Sequence, residues 1–154
     1  MGLADATLKA KALLTHPTIA LDTNIFIFAL ENNLSFPIAV ELFRLLPKIA
    51  PRVFTSTITL VEALVHLYRR GDHEEITTTL EFITGQGLIT IVNVDQTVSL
   101  KAAQLRAQYK LTTPDAIQLA TGLLNDAATF ITADHEFRRR IPSGYLETMK
   151  IETI

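Results

Sequence analysis

With 154 residues and 17.1 kDa, the chain has the usual size of one domain and can bury a core without covalent staples. Hydrophobic residues make up 48% and charged residues 19%, which excludes a disordered chain; the absence of cysteine excludes a disulfide framework, a thiolate zinc site and a cysteine nucleophile. A net charge of −2 gives no general attraction to nucleic acid, so a polyanion would have to be held by local groups.

Ala4 to Leu14 reads as a short helix with Leu8, Ala12 and Leu13 on its apolar side, stopped before His16-Pro17 because proline disfavours helix at the residue before it. Thr18 to Asp22 is a short buried strand. The apolar run from Asn24 to Leu30 follows as a helix, closed by Glu31-Asn32-Asn33. Pro37 starts a second helix, with Ile38, Val40, Leu42, Phe43, Leu45 and Leu46, that ends at Pro47.

Arg52 to Thr55 is strand-like, and Ser56 or Thr57 caps a helix carrying Leu60, Val61, Leu64, Val65, Leu67 and Tyr68. Gly71 ends it behind Arg69 and Arg70, charges favoured at a helix C-terminus. Asp72 caps the next helix, with Ile76, Leu80 and Ile83 facing inward, and Gly85 and Gly87 precede a strand from Leu88 to Val94. Asp95 caps a helix bearing Val98, Ala102, Leu105 and Tyr109. Thr113 caps another that starts at Pro114 and carries Ile117, Ala120, Leu123 and Leu124. A strand from Ala128 to Ala133, a helical turn from Asp134 to Arg140 and an extended tail from Leu146 to Ile154 complete the chain. Four short strands separated by helices imply an α/β fold with a parallel sheet covered on both faces.

No apolar run approaches the roughly 20 residues of a membrane span, since Asp22 interrupts the longest. Met1 to His16 lacks the apolar core of an export signal, and a cytoplasmic protein is expected.

Ligands of such sheets bind beyond the carboxyl ends of the strands, so acids just after strands are informative. Asp22 ends the first strand, Asp134 follows the strand before it, Asp115 occupies the second position of its helix, and Glu62 lies in the helix after the second strand. Each has a structural reading as well: Asp22 as a helix cap, Asp115 as a favourable charge at a helix N-terminus, Glu62 as a solvated stripe one residue wide. His66 shares the face of Glu62 but has no second histidine beside it and is left out of the site; Arg138-Arg139-Arg140 is the one basic run, compatible with a solvated helix end or a phosphate contact.

Four acids with no cysteine and little histidine suit a hard, oxygen-preferring cation such as Mg²⁺ or Mn²⁺. Such a cation can hold a phosphodiester, activate water and stabilise the leaving oxygen. Two competing readings are a phosphatase with Asp22 as nucleophile, weakened by Asn24 where a second Asp is needed, and a non-enzymatic binding module that uses its apolar first half as a contact surface.

Four segments, Ala20-Leu21-Asp22-Thr23-Asn24-Ile25-Phe26, Thr57-Ile58-Thr59-Leu60-Val61-Glu62-Ala63, Leu111-Thr112-Thr113-Pro114-Asp115-Ala116-Ile117-Gln118-Leu119-Ala120 and Phe130-Ile131-Thr132-Ala133-Asp134-His135-Glu136-Phe137, together resemble the PIN-domain nucleases. Their order and spacing are closest to the VapC-like toxins of type II toxin–antitoxin pairs. The resemblance implies a three-layer α/β/α sandwich with a central parallel sheet and a Mg²⁺- or Mn²⁺-dependent endoribonuclease. It implies metal-binding positions at Asp22, Glu62, Asp115 and Asp134, with Asn24 and Thr132 as orienting polar groups. It also implies an RNA substrate, an inhibitory antitoxin and a homodimer. Residues 18–154 form the expected nuclease domain, and residues 1–17 a helical extension that the resemblance does not account for.

Overall fold

The computed structural model describes every residue except Ala50 and Gln86. The elements run α1 (Leu3–Leu14), β1 (Thr18–Leu21), α2 (Thr23–Leu30), α3 (Pro37–Ile49), β2 (Arg52–Ser56), α4 (Ile58–Arg70), α5 (His73–Thr84), β3 (Ile89–Val92), α6 (Gln96–Tyr109), α7 (Thr113–Leu124), β4 (Thr129–Thr132), α8 (Glu136–Arg140), β5 (Tyr145–Leu146) and β6 (Met149–Thr153). The strands form one sheet in the order β3-β2-β1-β4-β6-β5, parallel except for the last pair.

This order, with right-handed crossovers the rule for parallel strands, sets which face each connecting helix covers. The chain steps outward from β1 to β2 to β3, with α2 to α5 between the strands, then returns through α6 and α7 to place β4 on the other flank of β1. Helices consequently fall on both faces. One core gathers Ile19, Leu21, Val53 and Ile131 against α1, α2 and α3; the other gathers Ala20, Phe130, Met149 and Ile151 against α6 and α7. The three-layer α/β/α arrangement is therefore the fold, and β1, with neighbours reached in opposite directions, marks the crevice where such sheets bind ligands.

The extended tail is a hairpin rather than a single stretch. Tyr145-Leu146 turns back through Glu147, whose φ of 54° is held while Lys101 pairs with its carboxylate at 2.5 Å, and β6 then extends the parallel sheet beside β4. The central sheet thus has six strands instead of the four expected. Helix α3 passes through Pro47 to Ile49 because a proline in the last turn forfeits one backbone bond, while Leu45 and Leu46 just before it are buried and hold the turn down.

Helix α1 buries Ala6, Ala10 and Leu14; the expected Leu8 and Ala12 lie exposed. Its inner stripe is made of small residues, so α1 lies close against α3, where Ala39 is fully buried. The Thr7 hydroxyl donates to Glu41 Oε2 across this contact at 2.6 Å, and Arg44 donates to both oxygens of Glu41 at 2.8 and 2.6 Å. These donors hold the Glu41 carboxyl below its ordinary range despite burial. Leu80, expected to face inward, is exposed at 39%; on α5 it is Thr79 that turns to the interior.

The aspartates at 72 and 95 cap as expected, accepting the N–H of Glu75 at 3.1 Å and of Val98 at 2.9 Å. Ser56 Oγ, at the end of β2, accepts from Ile58 N–H at 3.2 Å and so opens α4.

Gly122 on α7 marks the tightest helix–sheet approach: a Cβ there would stand 2.8 Å from Met149 Sδ and 3.0 Å from the Cβ of Ala20. Gly122→Ala should therefore lower stability, because a clash costing about 1–3 kcal/mol outweighs the helix-propensity gain of about 1 kcal/mol. A thermal midpoint equal to or above that of the unchanged protein would refute this close approach.

Candidate active site

Asp22 leaves β1 at its carboxyl end, with its N–H donating to Ile131 C=O at 3.0 Å, and its side chain is 6% exposed. It does cap α2, since Oδ1 accepts from Thr23 N–H at 2.8 Å. Oδ2 faces a second set of donors: Asn24 Nδ2 at 2.9 Å and Thr132 Oγ1 at 2.6 Å.

The direction of that last bond is fixed by its surroundings. Thr132 Oγ1 already accepts from Asp134 N–H at 3.0 Å and lies 3.3 Å from Asn24 Nδ2, so its only hydrogen goes to Asp22. Asn24 is oriented in turn because its Oδ1 accepts from Ala133 N–H at 3.0 Å. Each hydrogen-bond partner of Asp22 among the described residues is thus a donor, as suits a carboxylate. Burial works against it and prevails: desolvation, aided by the nearby charges of Asp115 and Glu62, pushes Asp22 up to about 7 from an ordinary 3.8.

Glu62 sits on α4 with Oε2 accepting from Thr23 Oγ1 at 2.6 Å. Desolvation raises its pKa, and the charge of Asp115 raises it further. Asp115 is the third residue of α7, not the second, because the cap is Thr112 rather than Thr113. Thr112 Oγ1 accepts from Asp115 N–H at 3.3 Å and donates to Asp115 Oδ2 at 2.6 Å, a reciprocal arrangement of the capping-box kind. Asp134 follows β4, where its Oδ1 accepts from Glu136 N–H at 2.8 Å and starts α8; it shares a cleft of about 100 Å³ with Asp115. The structure thus brings Asp22, Glu62 and Asp115 near enough for their charges to act on one another, and Asp134 lines one cleft with Asp115. His66 is exposed on α4.

A buried polar seam supports these acids, and its members Thr23, Thr55, Thr59 and Gln118 were not expected from the sequence. Gln118, 1% exposed, accepts from Ser56 N–H through Oε1 at 3.3 Å, which turns its amide nitrogen toward Thr59 Oγ1 at 2.7 Å and Thr23 Oγ1 at 3.0 Å. With an N–H occupying the Thr23 oxygen, the Thr23 hydrogen is directed to Glu62. Thr59 reaches Thr55 Oγ1 at 2.7 Å, and Thr55 donates to Leu21 C=O at 3.0 Å. The available signal was a glutamine inside the apolar run Ala116-Ile117-Gln118-Leu119-Ala120, one helical turn after Asp115.

Among the described residues, none of the four acids forms an ion pair with lysine or arginine. Nor do any three acidic or histidine side chains stand close enough to share one ion as they are placed. Glu62, Asp115 and Asp134 are each drawn toward a local donor, which separates charges that would otherwise repel. An all-oxygen donor set with uncompensated like charges fits a hard divalent cation.

The sequence model of the PIN domain family matches residues 19–140. The chain belongs to the PIN domain family. Among solved structures, it is similar to a chain of a toxin–antitoxin complex from Klebsiella pneumoniae, at 26% identity and a TM-score of 0.60, covering 88% of this chain and 96% of that one. It also shares the fold of a chain in VapBC2 from Rickettsia felis bound to a DNA fragment from their promoter, at 17% identity and a TM-score of 0.65, with 88% and 98% covered. No curated protein matches the sequence.

The PIN-domain carboxylates make the metal-free protein sensitive to pH. Between about 4 and about 7 the folded chain keeps a proton on Asp22 that the unfolded chain has released, so stability falls as pH rises through this window. Glu62 acts in the same direction. The loss from Asp22 is bounded at roughly 4 kcal/mol, from about 1.4 kcal/mol per pH unit. In chelator the thermal midpoint should be lower at pH 8 than at pH 5.5, and Asp22→Asn should flatten the difference; an unchanged slope in that variant would show that Asp22 is not the titrating group.

Proposed function

We propose that this chain is a metal-dependent endoribonuclease and the toxin of a toxin–antitoxin pair. The observation that carries the reading is the convergence of Asp22, Glu62 and Asp115, unpaired with any cation among the described residues, at the carboxyl edge of β1. Membership of the PIN family and likeness to a chain of a toxin–antitoxin complex support it.

Asp22, Glu62, Asp115 and Asp134 would hold Mg²⁺ or Mn²⁺. The chemistry supplied by such a cation is charge compensation for the phosphodiester and activation of a water as nucleophile. The chain's own residues prepare for it. Thr132 and Asn24 fix the Asp22 carboxylate, Thr23 and Gln118 fix Glu62, and Thr112 fixes Asp115, so three acids are oriented before substrate arrives. No protein nucleophile is required, and Asn24 stands where a phosphatase of the aspartyl-nucleophile type needs a second acid.

Partners follow from the same reading: RNA as substrate, an antitoxin as inhibitor, and a second copy of the chain. The homodimer is supported by α4, whose Val61, Val65 and Tyr68 are exposed at 60%, 40% and 63% and line an apolar groove of about 640 Å³ with Leu60 and Leu64. No helix among the described residues is long and apolar enough to cross a membrane. A cysteine-free chain suits a reducing cytoplasm, where we place its action.

Two measurements test these points. Purified protein should cut a panel of structured RNAs with Mg²⁺ or Mn²⁺, stop in chelator, and lose at least about a hundredfold in rate, some 2.7 kcal/mol of barrier, with Asp22→Asn or Asp115→Asn. Full activity in both variants would assign the cutting to a contaminant and remove the case for this site. Sedimentation should give a dimer for the unchanged protein and a monomer for Val65→Glu; a dimer in both would place the contact elsewhere.

A further inference from the structure

The cleft that holds Asp115 and Asp134 is also lined by Lys110 and Arg140, and we propose that these two cations clamp a backbone phosphate of the nucleic-acid strand beside the acids. This rests on the nuclease reading and deepens it by naming where the strand is gripped. With a net charge of −2 the protein has no general attraction to a polyanion, so its grip must come from cations placed at the site.

The three arginines of the basic run do not share one situation. Arg139 is paired with Glu136. Arg138 is exposed and is not part of the cleft lining. Arg140 lines the cleft together with Glu136, which it meets only as a loose ion pair, Nε to Oε2 at 3.9 Å and beyond hydrogen-bond reach, and among the described residues it makes no bond to Asp115 or Asp134. Its guanidinium remains available for the fork-like contact that arginine makes with phosphate.

Lys110 lines the same cleft from the junction between α6 and α7. It is exposed and, among the described residues, paired with no carboxylate. Its backbone is left-handed at φ 54° and ψ 36°, the position after a helix where glycine is the unstrained choice. The adjoining loop is pinned, with Leu111 buried and its carbonyl accepting from Arg106 Nε at 3.3 Å. Lys110 is one of several non-glycine residues with a left-handed backbone, and what sets it apart is a charge that lines the cleft beside Asp115 and Asp134. A phosphate between Lys110 and Arg140 would lie alongside Asp115 and Asp134, where the acids alone would repel it.

Lys110→Gly separates this role from folding, because it relieves the left-handed strain while removing the charge. The test is the anisotropy of fluorescein-labelled single-stranded RNA and DNA oligonucleotides in Ca²⁺, with probe integrity checked on a gel. Lys110→Gly and Arg140→Gln together should weaken binding about tenfold at low salt and flatten the slope of log Kd against log salt by about 0.7 for each cation removed. On either probe that is bound, Lys110→Arg should restore affinity, Arg138→Ala should change it less than twofold, and the thermal midpoint of Lys110→Gly should be unchanged or raised. Unchanged binding by the double variant of a protein that binds and cuts RNA would overturn the clamp and leave the nuclease reading standing. An unchanged protein that neither binds nor cuts would overturn both.

Discussion

The site turns on one electrostatic difficulty, a carboxylate buried at the end of a central strand. Asp22 leaves a strand whose neighbours are Ile19, Ala20 and Leu21, all buried, so water cannot solvate it from below. Donors from two segments replace that water: the Thr23 amide and the Asn24 side chain of α2, and the Thr132 hydroxyl at the end of β4. Because Thr132 also accepts from Asp134 N–H, the same hydroxyl that holds Asp22 sets the path of the chain into α8. The carboxyl ends of β1 and β4 are thereby joined by polar bonds in addition to their ladder.

The threonines beneath Glu62 solve a related problem. Thr23, Thr55 and Thr59 are buried between β1, β2 and the start of α4, where three hydroxyls without partners would each cost about 1–3 kcal/mol. Gln118 is the residue from the opposite helical layer that completes them. Its amide orientation is set by the Ser56 N–H, and from there the hydrogens run in one direction, to Thr23 and Glu62 on one branch and to Thr59, Thr55 and Leu21 C=O on the other. A network satisfied in only one sense holds its side chains in one arrangement. That arrangement is what holds the Glu62 carboxylate beside Thr23, next to Asp22 in the chain.

How far the sequence revealed this depended on whether a signal was local. The strand ending in Asp22, the caps Asp72 and Asp95, and the acids after strands are short-range patterns, and each stands where it was expected. Thr113 was expected as the cap before Pro114, and Thr112 takes that place because the N–H and carboxylate of Asp115 both reach back to its hydroxyl. The buried stripe of α1 was misassigned because alanine reads as neutral, and it is the closeness of α3 that turns Ala6 and Ala10 inward in place of Leu8. The tail hairpin needed the free edge of β4, which no local pattern declares. Gln118 did break an apolar run visibly, but its partners lie 59 to 95 residues away in the chain.

Local rules are broken in two ways around this edge, and the two departures have opposite charge. The acids keep like charges near one another, raising Asp22 and Glu62, while Lys110 holds a backbone conformation that suits glycine. Neither arrangement is the least costly: the acids oppose one another's ionisation around buried Asp22, and a glycine at 110 would relieve the left-handed backbone there without changing the packed cores. On the nuclease reading proposed above, a divalent cation would answer the acids and a phosphate the lysine that lines the same cleft as Asp115, and a phosphodiester strand bound through a cation would bring both at once.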